Sequence, residues 1–262
     1  MNDANLLSES PYAPGLSVRN ARLGWNGVEL LSGLSFDAPA RAWTCLLGES
    51  GVGKSTLLRT LAGLIEPLDD VDIWAKGATN TSNSVAYMAQ QDLLLPWLTA
   101  ADNVALGARL RGETPDSAKI SDILERTGMT DRANARPREL SGGERQRIAL
   151  ARTLMENRPI VLMDEPFSAL DAITRAQLQQ LAFELLGART VVMVTHDPFE
   201  ALRLGSKIHV VRKGDNSSAV PFSPPGTALR DPTDPSLRAT YHAIMAALDT
   251  PKTSENRGNA AA

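Results

Sequence analysis

Residues Gly48-Glu-Ser-Gly-Val-Gly-Lys-Ser-Thr56 follow the pattern Gly-x-x-x-x-Gly-Lys-Ser/Thr, with Gly48, Gly53, Lys54 and Ser55 in its four fixed places. Immediately before it, Trp43-Thr-Cys-Leu-Leu47 is a short apolar run that predicts a buried strand. After it, Leu57, Leu58, Leu61, Leu64 and Ile65 recur at helical spacing. Strand, glycine loop and helix together make a phosphate cradle. The backbone N–H groups of Gly48, Glu49, Ser50, Gly51, Val52, Gly53, Lys54, Ser55 and Thr56 are directed inward, and the helix N-terminus adds positive dipole. Glycine serves because a side chain blocks the approach of a phosphate and some positions need unusual backbone angles. Lys54 would reach the β- and γ-phosphates and the Ser55 hydroxyl would hold Mg²⁺. The stretch predicts a bound nucleoside triphosphate.

Further along the chain, Ile160-Val-Leu-Met163, Val191-Val-Met-Val194 and Ile208-His-Val-Val211 are apolar runs that read as strands, with Val85-Ala-Tyr-Met88 as another, buried one. Helical spans over Ala172–Leu186 and Pro198–Leu204 separate them, so the expectation is an α/β fold with a doubly covered parallel sheet. Residues 91–156 change character and predict an inserted helical lobe with loops at Gly112–Pro115 and Gly128–Pro137. Before the glycine loop, Leu16 to Phe36 alternates around an Asn26-Gly27 turn signal and predicts a small antiparallel sheet, with a weak edge strand near Val71–Trp74. Residues 1–15 read as a loose end. Residues 213–236, rich in Ser, Pro, Gly and Asp, read as a linker. Asp234-Pro235 then opens a last helix with Leu237, Tyr241, Ile244, Met245 and Leu248 on the face that docks on the chain's own core, followed by a polar tail.

Composition narrows the function classes. The 262 residues suffice for one large core or one core with a small lobe. A formal charge of −3 gives no general attraction to nucleic acid or anionic lipid. The single cysteine, Cys45, cannot form an internal disulfide and points to a reducing compartment, with Cys45 a small core residue. The N-terminus has no signal-peptide pattern, and no stretch reaches the 18 or so apolar residues of a membrane helix.

Two further stretches bear chemistry. Pro159-Ile-Val-Leu-Met-Asp164-Glu165-Pro166 is an apolar strand ending in two acids, at the strand end where open parallel sheets bind ligands. Asp164 would hold Mg²⁺ directly or through water, and Glu165 would orient and deprotonate the water that attacks the γ-phosphate; the bland alternative is a solvated helix-cap pair. Leu140-Ser-Gly-Gly-Glu-Arg-Gln-Arg147 places a hydroxyl and free N–H groups at the start of another helix, a second anion site. Both sites face one phosphate within the monomer, or the second serves a neighbour's nucleotide.

Leu-Ser-Gly-Gly followed by Glu-Arg-Gln-Arg and then Ile-Val-Leu-Met-Asp-Glu-Pro resembles the ATP-binding-cassette ATPases over about residues 16–212. The resemblance implies a P-loop NTPase with a RecA-like parallel core. It implies ATP and Mg²⁺ as ligands, and a homodimer in which Ser141, Gly142, Gly143 and Glu144 of one copy cover the phosphate loop of the other. Within it Gln90 matches the glutamine that contacts Mg²⁺ and the attacking water, and Ser168-Ala-Leu-Asp171 matches the loop that crosses the dimer interface. His196 matches the histidine that senses the γ-phosphate. Trp25 matches the aromatic that stacks on adenine, although position alone also allows an ordinary lobe residue. Glu144 stands where glutamine is commonest, Ala89 where an aromatic is usual, and Ala40-Arg41 where Gly-Glu is usual.

A single cassette of this kind resembles the separate ATPase subunit of a bacterial importer, peripheral on the cytoplasmic face of the inner membrane. Such a subunit works with a multi-span membrane permease and a periplasmic or lipid-anchored solute-binding protein. There Gln90 and the Leu93–Leu98 run form part of a groove for a permease helix, or that run is plain lobe core, with Trp97 the residue expected to be exposed. Met88 to Thr99, followed by Asp102-Asn103-Val, is similar to the nitrate, sulfonate, taurine and thiamine-precursor (hydroxymethylpyrimidine) importers, and the leaning is toward the pyrimidine. The alternative is a soluble cassette ATPase acting on ribosomes or DNA, which usually carries two cassettes or a long coiled-coil insertion.

Overall fold

The computed structural model describes residues 13–25, 28–66, 68, 72–75, 84–212 and 219–249. The N-terminal part contains β1 (Leu16–Trp25), β2 (Val28–Ala38), β3 (Trp43–Leu47), α1 (Lys54–Leu61), β4 (Asp72–Ala75) and β5 (Val85–Met88). The helical lobe follows with α2 (Ala100–Val104), α3 (Leu106–Leu110), α4 (Ser117–Arg126) and α5 (Gly142–Met155). The chain then returns to the sheet through β6 (Ile160–Asp164), α6 (Ala172–Leu186), β7 (Thr190–Thr195), α7 (Pro198–Leu204), β8 (Lys207–Val211), β9 (Ala219–Phe222) and α8 (Arg238–Leu248).

The continuous apolar runs form central strands buried on both faces. β3, β6 and β7 are buried at every position, in a sheet ordered β5-β6-β7-β3-β8-β9 whose first five strands run parallel. Successive side chains alternate between faces. Cys45, Leu47, Val161, Met163, Val191 and Met193 therefore join the core with α5, α6, α7 and α8. Their neighbours Leu46, Ile160, Leu162, Val192 and Val194 join a second core with α1, β1 and β2, and the last two belong to an antiparallel sheet ordered β2-β1-β4. Cys45 is fully buried, and burial pushes its thiol far above the ordinary range.

Several expectations need correction. The first helix stops at Leu61 rather than running to Ile65. Gly63, at φ 71°, turns the chain so that its N–H donates to the Thr60 carbonyl while that of Leu64 donates to the Arg59 carbonyl. These two bonds close the helix as a Schellman motif and leave Leu64 exposed. Among the described residues β5 is an edge strand paired with β6, and its alternate positions Ala86 and Met88 are buried on one face. The segment expected as a linker contributes β9, antiparallel to β8, so the sheet extends past residue 212. Its short alternation, Ala219-Val-Pro-Phe222, is hidden among turn-forming residues. The end of the first fifteen residues is also seated: the buried Thr190 hydroxyl donates to the Pro14 carbonyl (2.8 Å) and accepts from the Arg41 N–H (3.0 Å). The expected turn at Asn26-Gly27 and the polar tail after Asp249 lie outside the described residues.

The final helix docks as its pattern suggests. Ile244 and Ala247 enter the main core and Tyr241 and Leu248 pack on it. Arg230 fastens the approach to this helix, donating to the carbonyls of Leu202, Gly205, Pro224, Pro225 and Gly226.

Candidate active site

The glycine loop leaves the end of β3 with no spare room. A Cβ on Gly48 would lie 2.6 Å from the Val211 carbonyl oxygen of β8. Gly53, at φ 104°, is the N-cap of α1 and supplies no capping side chain, so the first-turn N–H groups stay available to an anion. Lys54 is 4% exposed and donates from Nζ to the Gly48 (2.7 Å) and Glu49 (2.8 Å) carbonyls, which holds its ammonium over the loop. Burial depresses its pKa, opposed by the charges of Glu165 and Asp164.

The two acids at the end of β6 face different partners. Asp164 is fully buried; its Oδ1 accepts from the Ser55 hydroxyl (2.8 Å) and its Oδ2 from the Tyr87 hydroxyl (3.1 Å). Tyr87 sits on β5, where its phenol is pushed up by burial and pulled down by a hydrogen bond with Arg59. Glu165 adopts φ 45°, a left-handed conformation that costs a residue with a Cβ about 1 kcal/mol or more. Its N–H donates to the Val194 carbonyl of β7 (3.0 Å), and this turn brings the carboxylate toward the neighbouring strand ends.

There the Glu165 Oε2 atom accepts from Gln90 Nε2 (3.3 Å) and lies 3.0 Å from His196 Nδ1. Gln90 follows β5, Glu165 follows β6 and His196 follows β7. Three adjacent parallel strands thus deliver an amide, a carboxylate and an imidazole to one point at their carboxyl ends, where such sheets bind ligands. Gln146, buried on α5, donates to the Pro166 carbonyl (2.6 Å) and fixes the turn after Glu165.

The second glycine stretch lies on other elements. α1 packs on β1, β6 and β7, whereas α5 packs on α2, α3, α4, α6 and β5. Ser141 caps α5. Its Oγ accepts from the Glu144 N–H (3.2 Å), Glu144 accepts in return from the Ser141 N–H (2.7 Å), and Arg132 holds the other Glu144 oxygen (3.0 Å). In this reciprocal capping box the Ser141 N–H, and after it the Ser141 hydroxyl, hold the Glu144 carboxyl below its usual range. Gly142 opens the helix in the clear, while a Cβ on Gly143 would come within 2.5 Å of the Thr174 methyl on α6. Asp171 caps α6 through the Ile173 and Thr174 N–H groups; the Thr174 hydroxyl, and after it these N–H groups, hold its carboxyl below the usual range.

Asn103 organises the exposed apolar turn after Gln90. Its amide is buried, accepts from the Leu95 N–H and donates to the Leu95, Leu98 and Thr99 carbonyls. The loop so bound presents Trp97 at 66% exposure and Leu93 at 57%, while Leu94 turns inward. The Trp25 side chain lies outside the described residues; its backbone ends β1 opposite Val28. The sequence-derived residues thus fall into two groups, one on the sheet edge and one at the head of α5. Tyr87, Arg59 and Gln146 are additions. Each reaches the site through a partner distant in sequence, and no local pattern singles them out.

A glycine loop with a buried lysine, in one sheet with the two carboxylates at the end of β6, marks the chain as a P-loop ATPase. Residues 31–168 match the profile described as "ABC transporter". An uncharacterized ABC transporter ATP-binding protein of Haemophilus influenzae is 46% identical over 222 residues, covering 82% of this chain and 90% of that relative. The aliphatic sulfonates import ATP-binding protein SsuB 1 of Paracoccus denitrificans is 40% identical over 204 residues, covering 77% of this chain and 81% of the relative. Among solved structures, the ATP-binding cassette MJ0796, in a dimeric post-hydrolysis state with ADP and Pi, superposes with a TM-score of 0.67 at 27% identity, over 82% of this chain and 99% of that one. The chain belongs to the ABC transporter family, as an ATP-binding cassette.

Proposed function

We propose that this chain is the ATP-hydrolysing subunit of a bacterial importer, working as a pair of cassettes that close on ATP and open on its hydrolysis. The observation that carries the reading is the meeting of Gln90, Glu165 and His196 at the sheet edge that also bears Lys54, Ser55 and Asp164. In this reading Lys54 exchanges its loop carbonyls for the β- and γ-phosphate oxygens, and the loop N–H groups hold the β-phosphate. Gln90 and Glu165 orient the attacking water, and Glu165 accepts its proton. In its imidazolium form His196 donates from Nδ1 to Glu165 and from the other ring nitrogen to the γ-phosphate. Trp25 stacks on the adenine.

The donors fit magnesium, which prefers oxygen ligands and keeps several water and phosphate ligands of its own. Ser55 and Asp164 supply a hydroxyl and a carboxylate that already lie 2.8 Å apart. Gln90 adds an amide oxygen. When bound, the ion neutralises charge on the β- and γ-phosphates.

Ser141, Gly142 and Gly143 sit on elements other than those of the phosphate loop, and this supports their serving the nucleotide of a second copy. A γ-phosphate between the two copies joins them, and its loss removes the attraction. The partner for the exposed Leu93–Trp97 turn is a membrane permease, which would hold the chain at the cytoplasmic face of the membrane beside a solute-binding protein. Among the described residues no helix is long and apolar enough to cross a membrane, so this reading assigns the pore to a separate subunit. For the cargo we favour an aliphatic sulfonate over the pyrimidine precursor, because the relative from Paracoccus denitrificans carries that name.

The test is Glu165→Gln followed by gel filtration with ATP and magnesium. Nucleotide binding is retained, hydrolysis falls by about 10²–10⁴-fold, and the variant elutes as a dimer. A variant that binds ATP and stays monomeric refutes the paired arrangement. Purification from detergent-solubilised membranes then identifies the permease and solute-binding protein.

A further inference from the structure

The cluster around Glu165 uses only the front of the His196 turn. Behind it, Thr195 Oγ1 accepts from the Asp197 N–H (3.0 Å) and donates to Glu200 Oε2 (2.7 Å), so the residues on either side of His196 are pinned by one hydroxyl. Glu200 is 5% exposed, and its other oxygen accepts from Gln179 Nε2 on α6 (3.3 Å). Arg175, one turn into α6, reaches this cluster from the opposite side. Its Nη2 donates to the Leu170 carbonyl (2.9 Å), its Nη1 lies 3.5 Å from Asp197 Oδ2, and its Nε faces Glu200 Oε1 at 3.9 Å. Leu170 belongs to the Ser168–Asp171 loop. One guanidinium therefore touches both that loop and the turn that carries His196.

The joint is not fully closed. Arg175 Nε is buried and has no hydrogen-bond partner among the described residues. Its 3.9 Å separation from Glu200 is about 1 Å longer than a charge-assisted hydrogen bond. A buried donor left open beside a buried carboxylate is costly, so any shift that closes the gap is favoured. Because the guanidinium also holds Leu170 and Asp197, such a shift moves the loop and the His196 turn together.

We propose that Arg175 is a positioning residue that ties the Ser168–Asp171 loop to the His196 turn, so that seating the loop against a second copy brings His196 into register with the γ-phosphate. The inference rests on the paired arrangement proposed above. Arg175 touches no nucleotide; it acts through Asp197, Glu200 and Thr195. The alternative is a passive cross-link between α6 and α7.

Steady-state ATPase kinetics and thermal melting of Arg175→Gln, Arg175→Lys and Thr195→Val separate the two. For Arg175→Gln, kcat falls about tenfold or more while KM for ATP stays within about threefold, since an ångström of misplacement acts on the reacting geometry rather than on binding. Arg175→Lys recovers part of kcat, because a point charge reaches the carboxylates but cannot also fork to Leu170. A kcat for Arg175→Gln within about twofold of the parent overturns the proposal, as does a fall in kcat matched by a proportionate rise in KM. Should Arg175→Gln fail to fold, Thr195→Val breaks the joint at its other end with little change of volume, and the same two outcomes decide. In the Glu165→Gln background, adding Arg175→Gln leaves the ATP-dependent dimer intact. If Glu165→Gln alone never dimerises, the paired arrangement falls and this inference with it; a normal dimer with an unchanged kcat in Arg175→Gln removes the inference alone.

Discussion

Replacing Tyr87 by Phe removes one hydroxyl and nothing else, and its effect can be sized from the contacts of Asp164. The Asp164 carboxylate is fully buried and accepts two side-chain hydroxyls, Ser55 on Oδ1 at 2.8 Å and Tyr87 on Oδ2 at 3.1 Å. Tyr87→Phe keeps the ring and its packing and leaves Oδ2 without its phenol donor. A hydrogen bond to a charged group contributes about 1.5–3 kcal/mol, and Arg59 loses a partner on the same hydroxyl, so we expect a loss near 2 kcal/mol. For a chain of this size that is about 4–8 °C in Tm. Differential scanning calorimetry of the nucleotide-free protein reads it directly. With ATP and magnesium present the deficit shrinks, because a cation at Asp164 compensates the missing donor. A variant that melts within about 1 °C of the parent without nucleotide refutes the claim that Tyr87 supports Asp164.

Lys54→Ala removes the buried ammonium held over the glycine loop, and hydrolysis falls to background in a phosphate-release assay; normal turnover would discredit the loop as the site. Ser141→Arg places a long cation where the capping box of α5 presents a hydroxyl. Binding of a fluorescent ATP analogue to the monomer is kept while hydrolysis is lost, and surviving activity means that the two glycine stretches do not meet across copies. The carboxyl of Glu200 is held above its ordinary value of 4.5 by burial, with Asp197 adding to the rise and the Thr195 hydroxyl opposing it. The folded chain therefore binds this proton more tightly than the unfolded chain does, and the resulting stability is present at low pH and lost as pH climbs from about 4.5 through the folded value. Tm measured against pH should fall less steeply over that window for Glu200→Gln than for the parent, and identical slopes would show that Glu200 is not the group responsible.

Much of the sheet edge is legible in the chain because each part is local. The glycine loop needs its lysine and serine beside it, and Asp164 and Glu165 follow an unbroken apolar strand. The capping box of Ser141 and Glu144 lies within one helical turn. What escapes a linear reading is whatever acts across the fold. Tyr87 looks like one more strand residue until β5 pairs with β6 and brings its hydroxyl to Asp164. Gln146 is one polar position on an amphipathic helix until its amide meets the Pro166 carbonyl. The stop at Gly63 is visible as a residue, yet Leu64 and Ile65 continue the apolar spacing beyond it, and only the backbone shows that the helix has closed. β9 is lost for the opposite reason: a strand of four residues, one of them proline, carries too little periodicity to stand out from its surroundings.

Cys45 lies in the middle of the central strand β3, at 0% exposure, with a thiol whose ionisation burial suppresses. A thiolate is the reactive form, so alkylating reagents meet an inert atom for as long as the sheet stays intact. As the chain has one cysteine, a maleimide or iodoacetamide added to the native protein would label only molecules whose β3 has come away from its neighbours. The labelling rate thus becomes a clock for the opening of the strand that delivers the glycine loop, and a ligand that slows that clock is gripping the loop.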